Sequence, residues 1–495
     1  MKKVIVFIAL LFTFWGVWAG EVKIFHTSDV HGFYFPQTSN KGSIGGFAIF
    51  AGYLERQREP YLLLDSGDFT SGTYEAKQSK GAYSVDFINR LGYNAVTLGN
   101  HENDFKDEAL LENVANIKAD VLVLNAEDTK TKTYPEYVKP YAFYEIKGYK
   151  IAVIGVGKEF SSQSKYIKIR KARKLLKKAV EEVKEENPDA IVLLIHDSAK
   201  DEKHENSFTT IKLVKGLGID LVLGGHAHKI IQNLKVDNTV FAESGTALKG
   251  FTEITLIFDD DTRKLTDITT KYILLDGNRI DLSADIYAFA EARRDKKMDT
   301  VIGEALEDIF NSPGTTNGAV DSYLGDLFCD IIKRNTKADI AVINSGAIRG
   351  KGILKGKITN RIVEEVLPFQ NKIMIVKVTG AFIEKLVRRS LKENSSLFQY
   401  SGLTVKYSFK NDRAKILGIL VGEEPLGKEK IYTVAVPDFI ANGNSEGYLF
   451  KKVADEDKTL FSDTYLSAFF IKYLSLHERG ILRPRYTERI IKVEK

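Results

Sequence analysis

The sequence predicts an α/β protein built of layered domains, and three observations support this fold class. Short apolar runs alternate with amphipathic helical stretches over residues 21–275, which is the pattern of a sheet covered by helices. A second set of apolar strands follows residue 300. The chain has 495 residues, too many for one ordinary core, so we expect two or three domains.

The composition excludes several classes of protein. Hydrophobic residues make up 44% of the chain and charged residues 28%, which is too apolar and too weakly charged for a disordered protein. A formal net charge of +5 over this length is not typical of nucleic-acid binding, so no nucleic-acid partner is expected. The single cysteine, Cys329, cannot form an internal disulfide, and its apolar surroundings indicate core packing.

An apolar leader precedes the first domain. A short basic start is followed by the uncharged run 4–20, and Val17–Ala19 fits the small-residue pattern before a signal-peptidase site. We interpret residues 1–19 as a signal peptide and expect a periplasmic or extracellular protein. A retained N-terminal anchor is the alternative. No further contact with a membrane is expected, because no second apolar run has spanning length.

Seven apolar runs in the first domain are interpreted as buried strands. They are Val22–Phe25, Tyr61–Leu64, Ala95–Leu98, Val121–Leu124, Ile151–Ile154, Ala190–Ile195 and Asp220–Leu223. Apolar residues at helical spacing predict a helix that begins near Ile169 and ends at Asn187-Pro188. Residues 253–275 predict two closing strands with a turn at Asp259–Thr262.

The predicted domain boundaries follow from these elements. Residues 20–280 form the first domain, a polar helix within residues 281–299 forms the connector, and residues 300–495 form a smaller α/β domain. The core strands of the second domain are predicted at Ile340–Ile343, Ile373–Val378 and Tyr432–Val436.

Polar clusters follow directly after five of the predicted strands. They are Thr27–Gly32, Asp65–Asp68, Gly99–Glu102, His196–Asp197 and Gly224–His228. Sheets of this type carry their ligands on loops at strand ends, so the five clusters are expected to converge. Any one of these His or Asp residues alone would be interpreted as structural; their conjunction indicates a site.

The clusters contain the ligands of a two-metal site. Carboxylates, an amide and several imidazoles together suit Mn, Fe, Co or Zn. There are too many of them for one tetrahedral ion. Two divalent ions about 3.5–4 Å apart, bridged by a carboxylate and a water, would generate hydroxide near neutral pH and clamp phosphoryl oxygens.

The order D-x-H, G-D, G-N-H-E, H, G-H-x-H resembles that of the calcineurin-like metallophosphoesterases. This resemblance implies a four-layer αββα sandwich for the first domain. The segments Asn344–Arg349, Leu367–Phe369 and Val436–Asn442 resemble the C-terminal substrate-recognition domain of the 5′-nucleotidases. The two resemblances cover nearly the whole chain after the leader.

The resemblance implies a role for each matching side chain. One ion would be bound by Asp29, His31, Asp68 and His228, and the other by Asp68, Asn100, His196 and His226, with Asp68 as the bridge. The family's catalytic pair matches His101 and Asp104. His101 would stabilise charge on the transferring phosphoryl group or the leaving oxygen, and Asp104 would orient it. Capping of the following helix is the alternative for Asp104.

The second domain would recognise the rest of the substrate. Arg349 closes a turn that Asn344 opens, and its guanidinium can make bidentate contacts to phosphate; a surface salt bridge is the alternative. Phe439 matches one of the two aromatic residues that sandwich the base in the family. Phe398 is displaced by one position from the other, so core packing is its alternative. Glu446 would replace the acidic residue of the last loop.

Three departures from the family pattern bear on the substrate. Gly318 stands where the family often has a phosphate-binding arginine, Asp326 replaces the usual asparagine, and the loop Gly443–Tyr448 is one residue longer. None of them affects a metal ligand. The chemistry is therefore expected to persist, while the identity of the substrate is left open.

Together these inferences predict an exported, metal-dependent phosphoric monoester hydrolase that cleaves nucleoside 5′-monophosphates and related nucleotides to nucleoside and phosphate. The first alternative is the same scaffold acting on 2′,3′-cyclic nucleotides, nucleotide sugars or another phosphate or sulfate ester. The second is a non-catalytic nucleotide-binding protein. The intact ligand set and His101 argue against the second, because a pure binder has no need of activated hydroxide.

Overall fold

The computed structural model describes residues 20–39, 42–199, 209–259, 261–311, 322–349, 352–391, 397–410, 413–477, 480–483 and 487–493. The proposed leader and Gly318 lie outside these residues. Over the described residues, no helix combines the length and the apolar character needed to cross a membrane. The chain separates into two compact units, Met1–Ser71 with Glu75–Arg294 and Gly72–Tyr74 with Asp295–Lys495.

The first unit contains two sheets and the helices that cover them. Its strands are Gly20–Thr27 (β1), Gln37–Ser39 (β2), Gly42–Ile44 (β3), Tyr61–Asp65 (β4), Ala95–Val96 (β5), Asp120–Leu122 (β6), Ala126–Asp128 (β7), Val138–Lys139 (β8), Tyr141–Ile146 (β9), Tyr149–Val156 (β10), Ile167–Ile169 (β11), Ala190–Ile195 (β12), Leu221–Gly224 (β13), Ile230–Val236 (β14), Thr239–Ser244 (β15), Gly250–Phe258 (β16) and Leu265–Leu274 (β17). The helices are Phe47–Leu54 (α1), Tyr74–Gln78 (α2), whose first residue belongs to the second unit, Ala82–Leu91 (α3), Lys106–Asn116 (α4), Arg173–Glu185 (α5), Thr209–Val214 (α6) and Ala284–Glu291 (α7).

The order of the strands brings their carboxyl ends together. One sheet has seven strands in the order β17-β16-β1-β4-β5-β6-β8, and the other has six in the order β14-β15-β13-β12-β10-β9. Strands β1, β4, β5 and β6 run parallel, and so do β10, β12, β13 and β15. Parallel strands end at the same edge of a sheet, so the loops that follow them lie side by side.

The two sheets pack face to face, and helices cover both outer faces. Side chains such as Leu62 of one sheet and Val192 of the other share one buried apolar core. Phe47 of α1 and Phe87 of α3 stack at 4.6 Å over the outer face of the seven-stranded sheet. Leu176 of α5 packs in the core on the outer face of the six-stranded sheet. The predicted αββα layering is confirmed, because each sheet buries one face against its partner and the other under helices.

Two local predictions differ from the structure. The helix predicted from Ile169 begins at Arg173, because residues 167–169 pair antiparallel with β7 as strand β11. Helical periodicity does not reveal such a pairing. The polar connector is also not one continuous helix. Helix α7 ends at Glu291, a 3₁₀ helix follows at Lys296–Asp299, and the division between the two units falls after Arg294.

The second unit is a separate α/β assembly. Its strands are Val301–Ala305 (β18), Ile309–Phe310 (β19), Ile340–Asn344 (β20), Gly352–Ile353 (β21), Gly356–Thr359 (β22), Lys372–Thr379 (β23), Phe398–Ser401 (β24), Leu403–Lys410 (β25), Arg413–Val421 (β26), Glu424–Pro425 (β27), Ile431–Pro437 (β28), Lys458–Tyr465 (β29), Ile481–Leu482 (β30) and Ile490–Lys492 (β31). Its helices are Tyr323–Thr336 (α8), Asn360–Val366 (α9), Gly380–Ser390 (α10), Asp438–Ala441 (α11) and Leu466–His477 (α12). The central sheet has the order β24-β20-β28-β23-β29 and carries apolar cores on both faces, one of which contains Cys329.

Candidate metal centre

The five polar clusters meet at one edge of the first unit. They follow β1, β4, β5, β12 and β13, whose carboxyl ends lie together. Two groups of side chains there could each hold a metal ion: Asp29 with His31 and His228, and Asp68 with His196 and His226. Within each group the ligand atoms lie within 4.8 Å of one another. Six of the seven predicted ligands are thus brought together by the fold.

Most of these ligands sit on left-handed backbone. The φ angles of Asp29, His31, Asp68, His226 and His228 are 51°, 51°, 59°, 75° and 58°. Left-handed backbone costs a residue with a side chain roughly 1–2 kcal/mol, so it persists only where surrounding contacts require it. Five such residues in one cluster are typical of a site whose geometry is selected for function rather than for stability.

Glycine permits the closest approach between two of the loops. A Cβ on Gly99 would lie 2.2 Å from Oδ1 of Asp68, so any larger residue at position 99 would displace this carboxylate. The same Oδ1 accepts a hydrogen bond from the backbone N–H of His101 at 2.8 Å. The backbone of the loop after β5 therefore contacts the Asp68 carboxylate directly.

The first group presents a pair of imidazole nitrogens to a common point. Nδ1 of His31 lies 2.9 Å from the carbonyl oxygen of Ser71 and donates to it, because a carbonyl can only accept. That hydrogen bond orients Nε2 of His31 towards Nε2 of His228, 3.1 Å away. Oδ1 of Asp29 lies 3.5 Å from the same nitrogen of His228. Backbone contacts that fix the outer nitrogen are typical of metal-binding histidines.

The second group is oriented in the same way. Nδ1 of His196 donates to the carbonyl oxygen of Ser66 at 2.6 Å, and Nε2 lies 3.0 Å from Oδ2 of Asp68. Asp68 also lies 3.9 Å from Nε2 of His31, so its carboxylate stands between the two groups. This position is the one that a bridging ligand would occupy.

Asn100 is the seventh predicted ligand, and its side chain is buried. Its Nδ2 donates to Oγ of Ser161 at 3.0 Å. Its Oδ1 is buried and has no hydrogen-bond partner among the described residues. A buried amide oxygen without a partner costs about 1–3 kcal/mol, and a bound cation would remove that cost. The nitrogen and oxygen donors of this site therefore fit borderline and hard divalent ions.

Burial and neighbouring charge shift the pKa values of the ligands. Burial raises the pKa of Asp29 to about 7, although His196 acts in the opposite direction. Burial alone would lower the pKa of His196, but the Asp68 carboxylate raises it to about 10. Burial also raises the pKa of Asp68, but His196 prevails and holds it well below the usual range. Binding of a metal ion at Nε2 of His196 would therefore have to displace a proton.

The side chain of His226 is exposed, yet desolvation by the protein around its ring and the charge of Lys158 lower its pKa, so this imidazole is neutral near neutral pH, as a metal ligand must be. Lys158 itself forms an ion pair with Asp197 at 3.0 Å. Lys158 and Ser161 belong to the loop after β10, which is not among the five predicted clusters. The sequence could have indicated this loop, since it also follows a buried strand.

His101 and Asp104 form a hydrogen-bonded pair beside the ligands. Nδ1 of His101 lies 2.8 Å from Oδ2 of Asp104, which also accepts from Oγ of Ser71 at 2.9 Å. The ring of His101 lies 5.5 Å from that of His31, centroid to centroid. Helix α4 has Phe105 at its N-cap and no side-chain cap. The alternative interpretation of Asp104 as a helix cap is therefore wrong.

Glu102 is a further buried carboxylate in the G-N-H-E cluster, 2% exposed, to which the sequence analysis gave no role. Burial and the Asp68 charge raise its pKa to about 7, while the backbone N–H groups of Asp68 and Gly99 act in the opposite direction. Glu102 is not among the groups that could hold a metal ion.

The predicted substrate residues lie in the second unit. Asn344 ends strand β20, and its buried Oδ1 has no hydrogen-bond partner among the described residues. The guanidinium carbon of Arg349 lies 5.1 Å from the centre of the Phe369 ring, so this arginine rests on an aromatic face. Phe439 lies in the short helix α11 and is partly buried. The side chain of Glu446 lies outside the described part of the structure.

One aromatic candidate, Phe398, lies in the core instead, together with its neighbour Tyr400. Phe398 is 0% exposed and Tyr400 1% exposed, and both belong to the apolar core beside β20 and β28. A ring that stacks on a base must present one face to solvent, so their burial favours the packing alternative for Phe398. Asp326 is also buried, on α8, 3.9 Å from the Arg489 guanidinium.

Comparisons with known proteins agree with this architecture. Residues 22–229 match the family model of the calcineurin-like phosphoesterases, and residues 301–454 match that of the 5′-nucleotidase C-terminal domain. The chain is 26% identical over 541 residues to a 5′-nucleotidase of Diplobatis ommata, an alignment that covers 96% of this chain and 90% of that protein.

Solved structures show the same fold. A 5′-nucleotidase precursor from Thermus thermophilus superposes with a TM-score of 0.82 at 23% identity, over 96% of this chain and 100% of that one. A sulfate thiohydrolase from the same organism superposes with a TM-score of 0.78 at 16% identity, over 96% and 97% of the two chains. The chain therefore belongs to the family that joins a calcineurin-like phosphoesterase domain to a 5′-nucleotidase C-terminal domain, and it is a metal-dependent phosphomonoester hydrolase.

Proposed function

We propose that this protein binds two divalent metal ions and hydrolyses nucleoside 5′-monophosphates to nucleoside and phosphate. The observation that carries the proposal is the position of Asp68, which lies 3.0 Å from His196 of one ligand group and 3.9 Å from His31 of the other. A single carboxylate between two imidazole-containing groups is the arrangement that a bridged metal pair requires. Mn, Zn, Co and Fe all suit the donor atoms.

The position of each residue suggests its role in the reaction. Such a pair of ions, when bound, activates water and neutralises the oxygens of a phosphoryl group. His101 is held by Asp104 and lies beside His31, so Nε2 of His101 is the atom proposed to act on the phosphoryl group or the leaving oxygen. Asp104 keeps the Nδ1 proton in place through an acceptor-only carboxylate.

The second unit is proposed to recognise the nucleoside and to span residues 300–495, after a first domain of residues 20–280. Asn344 ends strand β20 and Arg349 follows it, and they offer an amide and a cation to the polar parts of a nucleotide. Phe439 remains the candidate for stacking on the base, and Glu446 remains the candidate to replace the acidic residue of the last loop. We leave Phe398 out of the proposed site because it is fully buried.

The burial of Phe398 also supports a second candidate function. With one of the two expected stacking residues in the core, a nucleoside would be held less tightly than the family pattern suggests. A phosphate or sulfate ester without a base is therefore the alternative substrate that this burial favours, while 2′,3′-cyclic nucleotides and nucleotide sugars stay alternatives from the sequence. Export through the leader at residues 1–19, to the periplasm or the outside of the cell, is part of the same proposal and rests on the sequence alone.

A substrate panel tests the proposal. Purified protein with Mn²⁺ or Co²⁺ is expected to release phosphate from AMP, and a chelator should abolish the release until metal is restored. His101→Ala should lower kcat far more than it raises KM. Activity on aryl phosphates or cyclic nucleotides with none on AMP would favour the alternative substrate, and a wild-type protein that binds fewer than two ions would refute the metal pair.

Phe439 can be tested separately. Phe439→Ala should raise KM for AMP while leaving KM for a small aryl phosphate unchanged, because only the nucleotide has a base to stack. Tyr400→Phe is the control, since Tyr400 is buried in the core. Equal losses of Phe439→Ala on both substrates would remove its stacking role.

A further inference from the structure

Glu102 accepts hydrogen bonds from two different loops of the metal centre. Its Oε2 accepts from the backbone N–H groups of Asp68, at 3.0 Å, and of Gly99. Its Oε1 accepts from the N–H groups of Phe69 and Thr70, at 2.9 and 3.3 Å, and from the Thr70 hydroxyl at 3.3 Å. The loop after β4 and the loop after β5 are thereby tied to one buried carboxylate.

Both carboxylate oxygens of Glu102 must act as hydrogen-bond acceptors in this environment. All five groups around Glu102 act as donors, and four of them are backbone N–H groups that cannot reverse their role. A glutamine of the same shape would place an NH₂ group against at least one of these donors. Buried donors that lose their acceptor destabilise the structure that holds them.

The hydrogen bonds of Glu102 act on the residues that hold the site in shape. Asp68 has a φ of 59°, a conformation that needs external support. Glu102 supplies that support through the Asp68 N–H, while Oδ1 of Asp68 accepts the N–H of His101 at 2.8 Å. Through Gly99, Glu102 also fixes the start of the segment that carries Asn100.

We propose that Glu102 is the positioning residue of the metal centre: it sets the separation between Asp68, which stands between the two ligand groups, and the Asn100–His101 segment. This inference rests on the proposed two-metal function. It assigns Glu102 no contact with substrate or metal. Its removal is expected to lower metal affinity about tenfold or more, as is observed for residues that support ligands elsewhere.

The test compares the full-length wild-type protein with Glu102→Gln and Glu102→Asp. Glu102→Gln keeps the shape and loses an acceptor, whereas Glu102→Asp keeps the acceptors and shortens the reach. Glu364→Gln is the matched control, since Glu364 is a carboxylate of 7% exposure in the second unit that accepts from Ser467 at 2.7 Å. The readouts are Mn²⁺ titration, the electron paramagnetic resonance signal of a spin-coupled Mn²⁺ pair, and hydrogen exchange of the metal-free protein.

Both Glu102 variants are expected to bind the second Mn²⁺ at least about tenfold more weakly, to lose the coupled signal and to exchange the amides of residues 68–70 faster, while Glu364→Gln keeps wild-type values. If Glu102→Gln does not fold, Glu102→Asp carries the test alone. Wild-type Mn²⁺ affinity and a coupled signal in a folded Glu102 variant would overturn the inference. A wild-type protein without any coupled Mn²⁺ pair would overturn the proposed function instead.

Discussion

Replacing Asp104 by asparagine tests the catalytic pair without removing His101. Oδ2 of Asp104 accepts hydrogen bonds from Nδ1 of His101 at 2.8 Å and from Ser71 at 2.9 Å. An asparagine oxygen can still accept from Nδ1, so the ring keeps its orientation. What is lost is the charge on the acceptor, which matters when positive charge develops on His101 during the reaction.

The magnitude follows from this difference. A hydrogen bond to a charged group contributes about 1.5–3 kcal/mol and a neutral one about 1 kcal/mol, so Asp104→Asn should cost roughly 0.5–2 kcal/mol in the transition state. That range corresponds to a fall in kcat of about 2- to 30-fold. KM should change little, because Asp104 contacts His101 and Ser71 and is not proposed to contact substrate.

The assay is steady-state phosphate release from AMP at saturating Mn²⁺. Asp107→Asn serves as the control, since Asp107 lies one helical turn further on and accepts only the backbone N–H of Lys165, at 3.1 Å, among the hydrogen bonds described for it. A kcat of Asp104→Asn within twofold of wild type, or an equal fall in the Asp107 variant, would refute the dyad.

Three further predictions follow from the same structure. Ser161→Ala should weaken Mn²⁺ binding about tenfold in a calorimetric titration, because Asn100 loses the contact that orients its amide; unchanged affinity would show that Ser161 is dispensable. Burial raises the pKa of Glu243 to about 7 from 4.5, so the folded state favours the protonated carboxyl group. The contribution of this group to the free energy of unfolding is therefore complete below pH 4.5 and is lost as pH rises through 7. Urea unfolding of the metal-free protein at pH 5 and pH 8 should therefore show a loss of up to about 3 kcal/mol that Glu243→Gln lacks, and identical pH dependence would contradict it. Cys329 is 0% exposed and burial holds its thiol pKa well above the usual value, so thiol reagents should label it only in denaturant.

Much of the first unit could be predicted from local patterns. Its strands are continuous apolar runs between charged stretches, and the polar residues after them stand where parallel strands end, so Asp29, Asp68 and His196 were recognisable in advance. Beginnings of elements were less predictable. Strand β11 replaces the expected start of α5 because its pairing with β7 is a contact between distant segments, which no local periodicity records.

The second unit contains aromatic residues whose burial could not be predicted from sequence patterns. Phe398 and Phe439 are both phenylalanines near a motif, yet one is fully buried and the other partly buried. Which face of a strand an aromatic residue occupies depends on the register of that strand with its neighbours. Strand β24 pairs with β20 so that Phe398 is opposite Asn344, and this register belongs to the folded sheet.

The sequence by itself determined the fold class, the family and the residue types of the candidate ligands, because these depend on periodicity and on the kinds of residue that follow each strand. Only the tertiary structure decided which atoms face one another. It placed Asp68 between two ligand groups, turned Asp104 to His101 instead of to a helix end, and tied two loops to Glu102. Hydrogen bonds form only over a narrow range of distance and angle. These pairings of side chains therefore exist only once folding has brought the ends of separate strands together.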